Sequence, residues 1–139
     1  MIKIELNRLD NDLLMEAVND MGNKVQMDGS PADGGHDKAF RPMQMLLAAM
    51  GGCSTVDVVT ILRKQREELK DIKITVTAER EKGVTPSLYT EVHAHFRLYG
   101  DIDEDKAQKA VALSVGKYCS VAKTLEKTAK VTFSVEVIR

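Results

Sequence analysis

The chain has 139 residues, a formal net charge of −1, and a composition that is 43% hydrophobic and 29% charged. That balance excludes the clustered positive excess of a nucleic-acid binder, and it fits a folded domain rather than a disordered or fibrous chain. The length suits one domain, residues 1–139, large enough to remove about two-thirds of the unfolded surface from water.

Met1-Ile2-Lys3-Ile4-Glu5-Leu6 alternates apolar and charged residues, the period of a strand rather than the apolar core of a secretory signal. A turn at Asp10-Asn11-Asp12 and another around Met21-Gly22-Asn23 separate two further short strands, Leu13 to Val18 and Asn23 to Met27. Asp28 to Lys38 has almost no apolar content and reads as a loop. Pro42 suits a helix start, because its missing N–H would have no partner in the first turn. From Met43 to Leu62 the sequence is compatible with a helix of about five turns, and Gln44 is the only polar side chain between Met43 and Cys53. A helix apolar around its whole circumference has to be wrapped on all sides.

Two strands follow, marked by alternating Ile72, Ile74, Val76 and Ala78, and then Val92, Ala94, Phe96 and Leu98. Asp101 or Asp103 can cap a helix whose apolar stripe is Ala107, Val111, Ser114, Val115 and Tyr118, interrupted at Gly116. Ser120 to Lys127 supplies a further helical piece, and Val131, Phe133, Val135 and Val137 form a last strand. A chain this short has little material to wrap an apolar helix. A second copy can supply the missing cover, which points to an intertwined homodimer; the alternative is that its own sheets suffice.

The longest apolar-or-glycine run, Met45 to Cys53, is nine residues, well below the roughly 18 of a membrane span. Two cysteines and no secretion signal point to a reducing cytoplasm, where a structural disulfide is not expected. Cys53 follows Gly51-Gly52, a pair that lowers helix stability by about 1 kcal/mol each relative to Ala. Close approach of another helix, or room for a ligand beside the thiol, would offset that loss; alternatively Cys53 is one more small core residue. Cys119 lies at the start of a helical piece between Lys117 and Lys123, an environment expected to lower a thiol pKa. The two thiols are 66 positions apart and can meet only through the fold. A thiol peroxidase needs two: one thiolate that attacks the peroxide O–O bond, and another that condenses with the resulting sulfenic acid.

Arg41-Pro42-Met43-Gln44-Met45-Leu46-Leu47-Ala48-Ala49-Met50-Gly51-Gly52-Cys53-Ser54 resembles the central-helix motif of the OsmC / organic hydroperoxide resistance superfamily, and Tyr118-Cys119-Ser120-Val121-Ala122-Lys123 resembles its second cysteine motif. Glu79-Arg80, Pro86 and Thr90-Glu91-Val92-His93 fit the pattern between them, so the resemblance spans residues 40 to 139. It implies an α+β, OsmC-like fold in which antiparallel sheets pack around long central helices in an intertwined homodimer. It also implies an antioxidant, stress-response enzyme that reduces organic hydroperoxides, with Cys53 as peroxidatic thiol, Cys119 as resolving thiol, and an external dithiol as reductant. No cofactor or metal, no nucleic acid and no membrane enters that scheme.

Two positions depart from the pattern: Ser120 stands where a proline often follows the second cysteine, and the residue after Pro42 differs from that of the hydroperoxide-resistance branch. There a glutamate follows the proline and works with an arginine; here the position holds Met43, with Gln44 next. The loop from Asp28 to Lys38 has no arginine, which leaves Arg8, Arg41 and Arg80 as candidates by charge, and Asp57 places a like charge one turn after Cys53. The sequence is thus nearer to the less characterised OsmC-like branch. Met43 and Met50, with Met45, can line an apolar substrate pocket or fill a core. His93 and His95 point the same way on a strand, but a zinc site lacks a third ligand at recognisable spacing. The second functional reading is a non-catalytic dimer that binds a small lipophilic molecule at its interface.

Overall fold

The computed structural model describes residues 1–139. The chain divides into two compact units, residues 1–46 and 47–139.

In the first unit, β1 (Glu5–Arg8), β2 (Met15–Val18) and β3 (Lys24–Met27) form an antiparallel sheet in that order. The β1–β2 connection is fixed by Asp10, whose Oδ1 accepts the amides of Asp12 and Leu14 at 2.8 and 3.2 Å. Asn19 does the same for Met21 and Asn23 between β2 and β3. Short polar side chains that bind backbone two to four residues away are what make these segments turns. Asp28 is buried, and its carboxylate accepts the amides of Gly29, His36 and Lys38, tying the polar loop back onto its own base. Among the apolar side chains of this unit only Ala17 is buried, while Ile4, Leu6, Leu9, Leu13 and Val25 are exposed.

Helix α1 runs from Pro42 to Lys64. Pro42 opens it, and the Gln44 side chain accepts the Arg41 amide at 3.0 Å, satisfying a donor the first turn would leave free. Burial along α1 recurs every fourth residue, at Met50, Ser54, Val58 and Leu62, so one narrow stripe is covered. The other faces are not: Leu46 is exposed and Val56 is 66% exposed. By length and composition α1 is apolar enough to cross a membrane, with mean hydropathy 1.8 over an 18-residue window, yet only 22% of that window is buried. The expectation of complete wrapping is therefore met on one face only within a single chain.

The second unit is built on β4 (Glu68–Arg80), β5 (Tyr89–Asp101) and β6 (Lys130–Ile138), with β5 in the centre. Val92, Ala94, Phe96 and Leu98 alternate inward and are completely buried, whereas His93, His95 and Arg97 take the opposite face. β4 pairs with β5 antiparallel, but β6 pairs with β5 in parallel, so this sheet is mixed rather than purely antiparallel. Alternation in β6 identified a strand without its direction. The direction follows from the helices between: parallel neighbours require a crossover, and residues 102–129 supply it.

That crossover consists of α2 (Glu104–Leu113), a π-helical turn (Ser114–Tyr118) and α3 (Ser120–Leu125). Asp103, not Asp101, caps α2, accepting the Lys106 amide at 3.0 Å, and Glu104 and Asp105 place negative charge at the positive helix end. Of the expected apolar stripe, Ala107, Val111, Ser114 and Val115 are buried, but Tyr118 is 52% exposed. The extra residue of the π turn breaks the 3.6-residue register just before that position.

Candidate active site

Helix α1 and the crossover helices meet at Cys53, Ser54 and Asp57 on one side and Ser114, Cys119 and Ala122 on the other. The π-helical turn sets up the second group. The Cys119 amide donates to the Ser114 carbonyl at 2.7 Å, closing the wide turn, and Cys119 then acts as N-cap of α3. A cap side chain points back over the first turn, so the sulfur accepts the Ala122 amide at 3.4 Å.

From α1, the Ser54 hydroxyl donates to Cys119 Sγ at 3.4 Å, and the Met50 carbonyl lies 3.9 Å from the same sulfur. Cys53 completes the surroundings: its side chain is close enough to Cys119 to act on that thiol, and both cysteines are free. Cys119 has 0% exposure, whereas Cys53 is half-buried. Two sulfurs 66 positions apart in sequence are thus neighbours in the fold.

Burial pushes the Cys119 thiol above its usual pKa, against the expected lowering. The donors from Ser54 and Ala122 oppose the rise, and Cys53 adds to it. The helix end and the lysines that motivated the expectation lose to desolvation, because a thiolate inside a sealed apolar site gives up its water.

One turn beyond Cys53, Asp57 is occupied: the Ser114 hydroxyl donates to its Oδ2 at 3.0 Å, with the Ser54 carbonyl as that hydroxyl's other acceptor at 3.4 Å. The carboxylate that looked like an unfavourable neighbour of Cys53 therefore pins the π-helical turn to α1. The sequence placed Ser114 on the inward stripe of its helix but gave it no polar role, and it did not single out Ser54. Both are fully buried polar residues, and Ser54 sits at the four-residue spacing of the buried stripe, a signal that could have marked it as inward-facing.

Of the remaining sequence candidates only Met50 adjoins the cysteines, through its backbone carbonyl. Met50 is completely buried in the second unit, and Met43 is half-buried in the part of α1 that belongs to the first unit. Arg41 is paired with Asp37 at 3.0 Å. Arg80 donates to the Ser87 carbonyl at 2.9 Å and lies over the Tyr89 ring, and Arg8 is exposed on β1. His93 and His95 are joined through the Ser134 hydroxyl, at 2.9 and 2.7 Å, on the polar sheet face. A depression of about 310 Å³ on that face is lined by Thr77, Glu79, Glu91, His93, Lys130 and Thr132, and by neither cysteine.

The family model described as OsmC-like protein matches residues 35–134, a stretch that contains both cysteines. The chain belongs to the OsmC-like protein family. It is 43% identical over 118 residues to Protein YhfA of Escherichia coli strain K12, covering 84% of each chain. A solved structure of a hypothetical protein from Aquifex aeolicus VF5 is 30% identical, with a TM-score of 0.81 over 100% of this chain and 98% of that one. The fold is shared at lower identity, 17%, with an organic hydroperoxide resistance protein OsmC from Legionella pneumophila, with a TM-score of 0.75 over 98% and 96% of the two chains.

Proposed function

We propose that this OsmC-like protein is a thiol-dependent peroxidase that reduces organic hydroperoxides. The observation that carries the reading is the nearness of Cys53 to Cys119, the first residue half-buried and the second sealed. The Cys53 thiolate attacks the distal peroxide oxygen and the O–O bond breaks. The alcohol leaves with a proton, and Cys53 becomes a sulfenic acid. Cys119 then attacks that sulfur, hydroxide departs as water, and a disulfide forms; an external dithiol restores both thiols. The names of structural relatives that share the fold, hydroperoxide resistance proteins among them, support peroxide as the substrate class. The reducing cytoplasm suits a resting state with two free thiols.

The working unit in this reading is a homodimer, each chain one domain spanning both units, since the family match crosses their boundary. Support comes from the uncovered faces of α1, exposed at Leu46 and Val56, and from Gly52, where an added Cβ would meet nothing within 4 Å. A facing copy of the same helix would cover them. Met43 stands where the hydroperoxide-resistance motif has a carboxylate, and this favours a second reading, a dimer that holds a lipophilic molecule at its interface.

Hydroperoxide-dependent oxidation of dihydrolipoamide, measured for the wild type and for Cys53→Ser and Cys119→Ser, separates the two. Turnover in the wild type alone supports the peroxidase. No turnover in any of the three, together with a co-purified small molecule in native mass spectrometry, would establish the binder instead.

A further inference from the structure

The reduction half of the cycle poses a choice that the geometry answers. A disulfide between Cys53 and Cys119 offers two sulfurs to an incoming thiolate, and attack on one expels the other as leaving group. Attack requires approach along the S–S axis from the side opposite the leaving sulfur. For Cys119 that side is filled: its sulfur has no exposure, Ser54, Met50 and the first turn of α3 surround it, and all of these belong to the same chain. No additional subunit can open it. Cys53 is only half-buried in the same chain, so of the two cysteines it is the one that solvent reaches.

Burial by itself makes Cys119 a reluctant leaving group, because it disfavours the thiolate, and two contacts from the same chain work against that penalty. Two donors, the Ser54 hydroxyl and the Ala122 amide, converge on its sulfur at 3.4 Å each. Donors already aimed at an atom stabilise the charge that develops there without reorganising, and a stabilised thiolate departs faster. Ser54 is itself wholly buried, so its hydroxyl has little freedom to turn elsewhere.

We infer that the reductant attacks the Cys53 sulfur, and that Ser54 and the Ala122 amide form a thiolate pocket receiving Cys119 as the leaving group. In the first step the reductant thiolate bonds to Cys53 Sγ, the S–S bond breaks, and its electron pair moves onto Cys119 Sγ, which then takes a proton. In the second, the reductant's other thiolate attacks the reductant sulfur bound to Cys53 and expels the Cys53 thiolate. The dithiol leaves oxidised by two electrons, and its two protons balance those gained by the cysteines. The inference rests on the peroxidase reading only for the oxidant that makes the disulfide.

The test uses the full-length protein and glutathione as probe. Treatment with cumene hydroperoxide should give the intramolecular disulfide, seen as loss of two hydrogens in the intact mass. If it does not, the peroxidase reading fails, and diamide makes the disulfide so that the next step still proceeds. A pulse of glutathione, acid quenching and alkylation, followed by peptide mapping, locates the mixed disulfide. Glutathione on Cys53 is the expected result, and glutathione on Cys119 overturns the inference. Ser54→Ala should slow this step about tenfold, the scale of one hydrogen bond to a charged group. Ser54→Thr, which keeps the hydroxyl, should recover most of the rate, whereas a purely structural role would leave Ala and Thr alike. An unchanged rate in Ser54→Ala would refute the pocket.

Discussion

The contact between Ser114 and Asp57 is the tie that holds the crossover against α1, and its strength can be measured. Ser114 is fully buried, and its hydroxyl donates to the Asp57 carboxylate at 3.0 Å. Ser114→Ala removes that donor and leaves a half-buried carboxylate short of a partner, a change of about 1–3 kcal/mol. Unfolding entropy of about 2.1 cal/mol/K per residue amounts to roughly 290 cal/mol/K for 139 residues, so each kcal/mol moves Tm by roughly 3 °C. Ser114→Ala should therefore lower Tm by about 3–10 °C at fixed protein concentration. Much of that change belongs to the stranded carboxylate, so a double-mutant cycle with Asp57→Ala is the sharper assay. Urea unfolding of the four proteins should give a coupling energy of about 1–2 kcal/mol. Coupling below about 0.5 kcal/mol would mean the pair is incidental and something else holds the π-helical turn in place.

Three further outcomes are expected. Gly52→Leu should shift the protein toward monomer in sedimentation velocity, because the uncovered face beside Cys53 is where a second helix would pack; an unchanged dimer would remove Gly52 from the interface. The His36 ring, 2.7 Å from Asp12, is held above its ordinary pKa of 6.5 by that hydrogen bond. A raised value in the folded state means the pair stabilises the loop fully below 6.5 and ceases to do so as pH rises through the raised value. NMR titration of His36 should give a midpoint above 6.5 that falls in Asp12→Asn. Phe96→Ala, at a completely buried position on the central strand, should destabilise by about 3–5 kcal/mol in chemical denaturation, and a loss under about 1 kcal/mol would contradict the packing described.

Most of the architecture could be read from periodicity. The strands at Ile72–Ala78 and Val92–Leu98 stand where alternation put them, and Pro42 opens α1 as its missing donor suggests. Three things were not legible, each for a physical reason. Strand direction in β6 depends on the connection before it, not on the residues within it. The π-helical turn adds one residue to a helical register, and Gly116 marked only that something breaks there. The state of Cys119 is set by desolvation, a property of the folded neighbourhood that neither its flanking lysines nor its helix position reveals. At the site, both cysteines could be named from motifs, but the serines that fasten them are ordinary residues in sequence and acquire meaning only through burial.

Because β6 lies beside β5 in parallel, the sheet is complete only after the chain beyond the crossover has been made. A nascent chain exposes Cys53 early, while the crossover carrying Cys119 still has no third strand on which to close. Secure juxtaposition of the two sulfurs thus waits for β6 to dock against β5. Vectorial synthesis in this way delays the competent pair until the surrounding structure can hold it.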